Sequence, residues 1–238
     1  MKNASVLPPN YTCLQSFMRE LEKRGDLVRI TRPVSLVHEV TEIHKRVLHA
    51  DGPALLFEKP VDADGNVQSI PLLANLFGAE RRIAWGLGRE VEELPALAEM
   101  LAELRAPKPP RSAKEIWSKL PIARAALAMR PRRISRAPVH ETILLGDEID
   151  LGKLPIQWCW PGEPAPLVTW PLVITCAPDD PSDVNVGIYR MQKLGSDRLI
   201  MRWLAHRGGA RHHRMWQQRG LDMPVAVAIG VDPASILA

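Results

Sequence analysis

Apolar positions in the first hundred residues alternate between helical and extended spacing. Four apolar residues on one helix face predict a helix over Leu14–Lys23, which Gly25 ends. Further helices are predicted at Val37–His49, Ala79–Ile83 and Val91–Arg105, with strands at Leu27–Ile30, Ala54–Glu58 and Ile70–Asn75. Pro71 places the last of these strands at a sheet edge. The alternation predicts a small α/β domain, which we assign to residues 1–112.

From Pro138 onward the pattern changes to short extended segments separated by turns. The predicted strands are Glu141–Leu145, Leu167–Cys176, Val184–Lys193, Arg198–His206 and Val225–Val231. A loop rich in proline and tryptophan, Leu154–Gly162, lies between the first two strands, and a helix over Arg211–Gly220 lies between the last two. The pattern predicts a β-rich domain over residues 138–238, with a barrel as one arrangement. The chain as a whole is therefore expected to be α+β.

A connecting segment, which we assign to residues 113–137, joins the two predicted domains. It follows the Pro-rich stretch Ala106–Ser112 and contains a helical pattern over Ala113–Met129, broken at Pro121. Arg130–Arg136 then carries four arginines in seven residues. One interpretation is a solvated connector, and the other is contact with a second subunit or an acidic lipid surface.

Composition and charge exclude few kinds of partner for this protein. The net charge of +4 permits an anionic small molecule or an acidic membrane surface as partner, but it does not indicate nucleic acid. Cys13, Cys159 and Cys176 are far apart and form no metal motif, which is typical of a reducing, cytoplasmic setting. The sequence has no apolar run of about 18 residues and no signal-peptide pattern, so neither a spanning helix nor a leader is expected.

The chemistry is concentrated in two apolar segments joined by a Gly195-Ser196-Asp197 turn. Alternation places Arg190 on one face of the first strand, and Arg202 could converge with it if the two strands pair. Because an unpaired buried charge is costly and a guanidinium suits phosphate or carboxylate, the arginines indicate an anionic ligand. Arg207 adds a third guanidinium, and the glycines after it allow close backbone approach. The alternative is an edge hairpin whose arginines extend to water.

Candidate metal ligands near this hairpin are few. Asn185 and His206 lie at its two ends, and their side chains are compatible with manganese or a related divalent ion. Two ligands do not establish a metal site, and from the residues alone a capping Asn with a hydrogen-bonded His is the preferred interpretation. The adjacent pair His212-His213 is expected to lie on the surface. Cys159 has no predicted base nearby and is expected to be a buried structural residue. The sequence lacks the G-x-S-x-G, P-loop and G-x-G-x-x-G patterns.

Four stretches resemble the UbiD family of prenylated-flavin-dependent decarboxylases, and the resemblance extends over essentially all 238 residues. They are N-V-G-I-Y-R-M-Q from Asn185, R-W-L-A-H-R-G-G-A from Arg202, L-P-I-Q-W-C-W-P-G from Leu154, and the early L-x-x-F-M-R-E-L-E-K-R-G-D-L-V-R-I. The resemblance is strongest to the 3-octaprenyl-4-hydroxybenzoate carboxy-lyases of ubiquinone biosynthesis. It implies an N-terminal α/β domain followed by a flavin-reductase-like split β-barrel.

The resemblance also implies roles for individual residues. Asn185 and His206 match metal ligands for Mn²⁺, with K⁺ as a further ion. Arg190 matches the arginine beside the substrate carboxylate and is therefore the expected catalytic residue. The residues that match cofactor-binding positions for prenylated FMN are Ile188, Tyr189, Arg190, Arg202, Trp203, Leu204, Arg207 and Gly208.

The implied reaction is non-oxidative decarboxylation of an aromatic acid, with 3-polyprenyl-4-hydroxybenzoate as the expected substrate, through a covalent adduct with prenylated FMN. The implied partners are a flavin prenyltransferase as cofactor supplier and further copies of the chain in a homo-oligomer, with no nucleic acid. The implied location is cytoplasmic, with peripheral contact at the inner membrane.

The sequence departs from the family in length. The resemblance places a metal-binding glutamate and acidic proton-transfer residues downstream of Ala238, so the 238 residues are expected to be the N-terminal part of such an enzyme and inactive alone. A non-catalytic flavin- or phosphate-binding module remains the alternative. Polyanion or membrane-surface binding through Arg130–Arg136 is a third, weaker interpretation.

Overall fold

A computed structural model describes residues 11–106, 120 and 134–237 of the chain. The predicted helix at 113–129, apart from Leu120, and the first part of the basic segment lie outside these residues. Residues 11–106 form the following elements in chain order: α1 (Leu14–Lys23), β1 (Leu27–Ile30), β2 (Val34–Ser35), α2 (Glu39–His49), β3 (Ala54–Phe57), β4 (Pro60–Val61), β5 (Leu72–Ala74), α3 (Glu80–Gly86) and α4 (Leu94–Arg105).

The first half is built around the sheet β1-β3-β5. β1 runs parallel to β3, with Leu27 opposite Ala54, while β5 pairs antiparallel on the other side of β3 and is an edge strand, as predicted. All four residues of the central strand β3 are buried. Phe17 and Leu21 of α1 are fully buried against one part of this core. The spacing of apolar residues therefore predicted the main elements of this half, because α1, α2 and the sheet strands bury their apolar residues in two adjoining clusters. The short parallel pair β2-β4 lies outside this sheet and was not predicted.

Residues 134–237 contain short strands and two helices. The elements are β6 (Leu167–Val168), β7 (Leu172–Cys176), β8 (Val184–Ile188), β9 (Met191–Lys193), β10 (Leu199–Met201), α5 (Gly208–Gln218), β11 (Ala226–Ala228) and α6 (Pro233–Leu237). They form two antiparallel sheets, β11-β7-β8 and β10-β9-β6. The chain is thus mixed α+β, with small sheets and no closed barrel among the residues described.

Three predicted strands differ from the structure. The predicted strand Leu167–Cys176 is interrupted at residues 169–171, so β6 and β7 belong to different sheets. Glu141–Leu145 forms no strand. Short 3₁₀ turns flank it at Pro138–His140 and Gly146–Glu148. Leu145 is 70% exposed and pairs with no strand among the described residues. The predicted strand Val184–Lys193 is broken at Tyr189 and Arg190, so β8 and β9 belong to different sheets. The break has a physical cause, since the Tyr189 side chain turns inward to α5.

Direct contacts join the two halves of the chain. The N–H of His38 donates to the carbonyl oxygen of Trp158 at 2.9 Å, and the N–H of Trp158 donates to that of Leu36 at the same distance. The rings of Phe77 and Trp170 lie 5.5 Å apart. The Pro- and Trp-rich loop is thereby fixed to the first half. No helix in the described ranges combines the length and apolar character needed to cross a bilayer.

Candidate functional site

The β9–β10 hairpin brings Arg190 and Arg202 to one pocket. Met191 pairs with Met201, and the N–H of Arg202 lies 3.5 Å from the carbonyl oxygen of Arg190, so the two arginines face each other at the open end of the hairpin. Both line a pocket of about 410 Å³. The other lining residues are Glu163, Leu167, Gln192, Ile200 and Met201. Within the described ranges neither guanidinium forms an ion pair, so both are available to an anionic ligand.

Glu163 adds a carboxylate to this pocket that no sequence pattern predicted. Its Oε2 accepts the N–H groups of Cys159 at 3.1 Å and of Trp160 at 3.2 Å, and its carbonyl oxygen accepts Nε1–H of Trp158 at 2.9 Å. The Pro- and Trp-rich loop therefore closes on Glu163. Burial raises the pKa of the Cys159 thiol, which agrees with the expected structural role of this cysteine.

Asn185 lies against the first turn of α5. A Cβ atom added to Gly208 would lie 2.1 Å from Oδ1 of Asn185, so the amide oxygen contacts the helix backbone where only glycine fits. Arg207 is the N-cap residue of this helix, with extended backbone. The N–H groups of a first helical turn have no partner within the helix and favour negative charge. The N-terminus of α5, with Arg207 and two glycines, is thus chemically suited to a phosphate.

The buried side chain of Tyr189 contacts the first turn of α5 from the protein interior. Its Oη accepts the N–H of Gly209 at 2.9 Å, and Nδ2 of Asn185 donates to it at 3.3 Å. The Tyr189 ring is buried and packs edge-on against Trp203, with ring centroids 4.9 Å apart. A Cβ atom on Gly209 would lie 2.3 Å from Cζ3 of Trp203. Tyr189, Trp203 and Gly209 therefore form one packed unit beneath the helix N-terminus.

The remaining predicted site residues lie around these two features. Ile188 is exposed and lies on the sheet face opposite Asn185, because residues three apart on a strand point to opposite sides. Leu204, His206 and Arg207 are exposed in the turn before α5, where the N–H of Arg207 donates to the carbonyl oxygen of Leu204 at 2.9 Å. In the part of the chain that the structure describes, no group of three or more His, Cys, Asp or Glu residues could hold a metal ion.

His212 lies inside the protein, which contradicts its predicted surface position. It was expected on the surface with His213, yet it is fully buried, whereas His213 is exposed. Its Nδ1 lies 2.9 Å from Oγ1 of Thr175, and its Nε2 lies 3.3 Å from Oδ1 of Asp183. Arg211 holds the pKa of Asp183 below its ordinary range through hydrogen bonds, and His212 adds to this effect. A helix that lies on a sheet buries one of two adjacent residues, and here that residue is His212.

Two family models match the chain. The N-terminal domain of 3-octaprenyl-4-hydroxybenzoate carboxy-lyase (UbiD) matches residues 18–101, and the Rift-related domain of the same family matches residues 132–238. Between them the two models account for most of the sequence.

Solved structures of the same class are similar in fold. The UbiD-class enzyme HmfF from Pelotomaculum thermopropionicum, in complex with FMN, is 27% identical with a TM-score of 0.72, over 93% of this chain and 43% of that one. An evolved dimeric form of HmfF in complex with prFMN is 25% identical with a TM-score of 0.72, over 96% of this chain and 51% of that one. Vanillic acid decarboxylase from Sedimentibacter hydroxybenzoicus is 22% identical with a TM-score of 0.75, over 95% and 44%. The chain thus spans about half the length of these proteins or less.

Proposed function

The chain belongs to the UbiD family, and from this membership we propose that it is the flavin-binding part of an enzyme that decarboxylates an aromatic acid. The observation that carries the proposal is the arrangement of cationic and glycine residues around the N-terminus of α5 and the β9–β10 hairpin. Arg190 and Arg202 share one pocket, and Arg207 lies at the start of α5. An anionic cofactor and an anionic substrate both fit such a site.

The first turn of α5 fits the phosphate of prenylated FMN. Asn185, Tyr189 and Trp203 occupy the space that side chains at Gly208 and Gly209 would take, so glycine lets the start of α5 pack closely on them. The N-terminal end of the helix, with Arg207 as its N-cap, favours an anion. Arg202 and Arg207 would neutralise the phosphate, while Trp203 and Leu204 supply apolar surface near it. Ile188 and Tyr189 complete the proposed cofactor-binding set. HmfF, which is similar over 93% of this chain, was solved with FMN, and this supports the proposal.

Arg190 is proposed to bind the substrate carboxylate in the 410 Å³ pocket. Its planar guanidinium can hold a carboxylate through two hydrogen bonds and so orient the bond that will break. Leu167, Ile200 and Met201 offer apolar contact to an aromatic ring in the same pocket. Prenylated FMN, when bound, would supply the electron-accepting ring system for loss of carbon dioxide. The substrate we propose is 3-polyprenyl-4-hydroxybenzoate, in agreement with the description of the family models.

Asn185 and His206 are proposed as two ligands of a Mn²⁺ ion, with K⁺ as a further ion. The described residues do not form a complete metal site, so phosphate oxygens and a carboxylate outside them would have to complete the shell. The Mn²⁺ ion would neutralise phosphate charge near the start of α5.

The proposed context of the protein follows the same membership. A flavin prenyltransferase would supply the cofactor, and the full enzyme would be a homo-oligomer without nucleic acid; the evolved dimeric form of HmfF supports assembly in this class. We propose a cytoplasmic location with peripheral contact at the inner membrane. The proposed domain limits remain 1–112, 113–137 and 138–238, and a split β-barrel remains the proposed arrangement of the last.

Carbon dioxide release tests the proposal. The assay uses the polypeptide purified from its source cells at whatever length they make it, loaded with prenylated FMN and Mn²⁺. The acids offered would be 3-polyprenyl-4-hydroxybenzoate, vanillic acid and 3,4-dihydroxybenzoic acid. We expect release from at least one acid, and a fall on the order of 100-fold in Arg190→Ala because the carboxylate loses its orienting partner. Arg198→Ala is the matched control, since Arg198 lies in the turn of the same hairpin with its side chain 80% exposed. A loaded protein that binds flavin and releases carbon dioxide from none of the acids would instead be a binding module.

A further inference from the structure

Buried polar side chains connect α5 to the β7–β8 pair beneath the proposed phosphate site. His212 and Thr175 are both fully buried, and Nδ1 of His212 lies 2.9 Å from Oγ1 of Thr175. On the other side of the ring, Nε2 of His212 lies 3.3 Å from Oδ1 of Asp183 and 3.0 Å from Nη2 of Arg211. Polar groups are buried at a cost unless they are hydrogen-bonded, so this network is specific and not a by-product of packing.

The network is satisfied in either neutral tautomer of His212. The Thr175 hydroxyl can donate or accept, so it complements Nδ1 with or without a proton. At Nε2, the Asp183 carboxylate accepts when the nitrogen carries the proton, and Arg211 donates when it does not. Arg211 also donates to both oxygens of Asp183. The link between helix and sheet therefore holds in either neutral tautomer of His212.

The position of the network connects it to the site. Thr175 is the cross-strand partner of Asn185, and both lie on the sheet face that α5 covers. His212 follows Gly208 by four residues, so both lie on the same face of α5. Two neighbouring residues of the sheet thus meet two residues one helical turn apart: Thr175 contacts His212, and Asn185 contacts Gly208. The Thr175–His212 contact therefore sets the spacing between α5 and the sheet at the Asn185–Gly208 contact.

We infer that His212, through Thr175 and Asp183, positions the first turn of α5 so that Asn185, Gly208 and Gly209 keep the geometry that binds the flavin phosphate. This inference rests on the proposed function for its ligand. It assigns His212 and Thr175 as positioning residues that contact neither cofactor nor substrate. The tolerance is small, because the Asn185 amide already occupies the space that a side chain at position 208 would take.

Thr175→Val tests the inference, since it keeps the shape of the side chain but removes the hydroxyl. We expect the FMN dissociation constant, measured by flavin fluorescence, to rise about tenfold, the equivalent of one hydrogen bond. Thr175→Ser keeps the hydroxyl and should restore affinity to near the wild-type value. Val40→Ala, a core change in the first half, is the control for general loss of stability, because Val40 is fully buried far along the chain from α5. All variants would be measured well below their unfolding temperatures.

Amide hydrogen exchange of the unliganded chain gives a second result that needs no flavin. The N–H of Gly209 donates to Tyr189, so its exchange reports whether the first turn of α5 is held in place. We expect exchange about tenfold faster in Thr175→Val and unchanged in Thr175→Ser and Val40→Ala. Wild-type exchange at Gly209 in Thr175→Val would overturn the inference. Failure of the wild-type chain to bind FMN would contradict the proposed function, while the exchange result would still decide the role of His212.

Discussion

Gly209→Ala tests the packed unit beneath the start of α5 most severely. The added Cβ atom would lie 2.3 Å from Cζ3 of Trp203 and 3.0 Å from Cζ and Oη of Tyr189. Carbon atoms in contact normally lie about 3.5–4.0 Å apart. The Trp203 ring would therefore have to move by about 1 Å or more. It cannot do so freely, because it packs against Tyr189 on one side and His213 on the other.

The expected loss of stability has two contributions. Overpacking a filled site costs about 1–3 kcal/mol. Displacement of Tyr189 would also break its hydrogen bond from the N–H of Gly209, which is worth about 1 kcal/mol. The sum is about 2–4 kcal/mol in the free energy of unfolding. For a chain of this length it corresponds to a fall of roughly 4–16 °C in the unfolding temperature.

Urea and thermal unfolding, followed by circular dichroism, measure this loss. Gly195→Ala is the matched control, because Gly195 lies in the hairpin turn and an added Cβ would find its nearest neighbour, Asp197 Oδ1, at 3.8 Å. The control should change the free energy of unfolding by less than about 0.5 kcal/mol. If Gly209→Ala were as stable as the control, Trp203 and Tyr189 would not be packed as described.

Two further predictions concern ionisable groups. The buried hydroxyl of Tyr11 has no hydrogen-bond partner among the described residues, so Tyr11→Phe should raise the free energy of unfolding by about 1 kcal/mol. Burial, with the charge of Asp232, raises the pKa of Tyr11 to about 12, so wild-type stability should fall as the pH rises from 10 towards 12, and Tyr11→Phe should lose that part of the fall. Arg211 lowers the pKa of Asp183, so stability that is present above about pH 4 should decline at lower pH. Acid unfolding of Asp183→Asn should lack this component; identical acid profiles would count against the Asp183–Arg211 pairing.

The sequence predicted the first half of the chain better than the second because α1, α2 and the strands of the sheet β1-β3-β5 bury regularly spaced apolar residues. The helix Leu14–Lys23 and the strand Leu27–Ile30 agree with the structure residue for residue. In the second half the local pattern was misleading, since Glu141–Leu145 contains three consecutive apolar residues yet has no strand to pair with. The predicted strand is interrupted at Tyr189, whose hydroxyl accepts a hydrogen bond from the N–H of Gly209, 20 residues further along the chain. A local sequence pattern cannot indicate such a contact.

The sequence indicated the arginines of the candidate site but not the residues that hold the surrounding backbone in place. Spacing alone indicated that Arg190 and Arg202 could converge, and the structure brings them to one pocket. The residue spacing did not indicate Glu163, because the position of Glu163 in the pocket depends on how the Pro- and Trp-rich loop folds back on itself. The buried position of His212 depends on which side of α5 meets the sheet. A helical projection of α5 could have identified that side, since Gly208 and His212 fall on one face.

Titration of the chain with FMN and with riboflavin tests the central claim most directly. Riboflavin has the same ring system and lacks the phosphate, so the comparison isolates the contribution of the α5 N-terminus and its arginines. We expect FMN to bind at least about tenfold more tightly than riboflavin, since a phosphate held by charge-assisted hydrogen bonds contributes well over about 1.4 kcal/mol. Equal affinities, or no binding of FMN, would contradict the assignment of this site to a flavin phosphate.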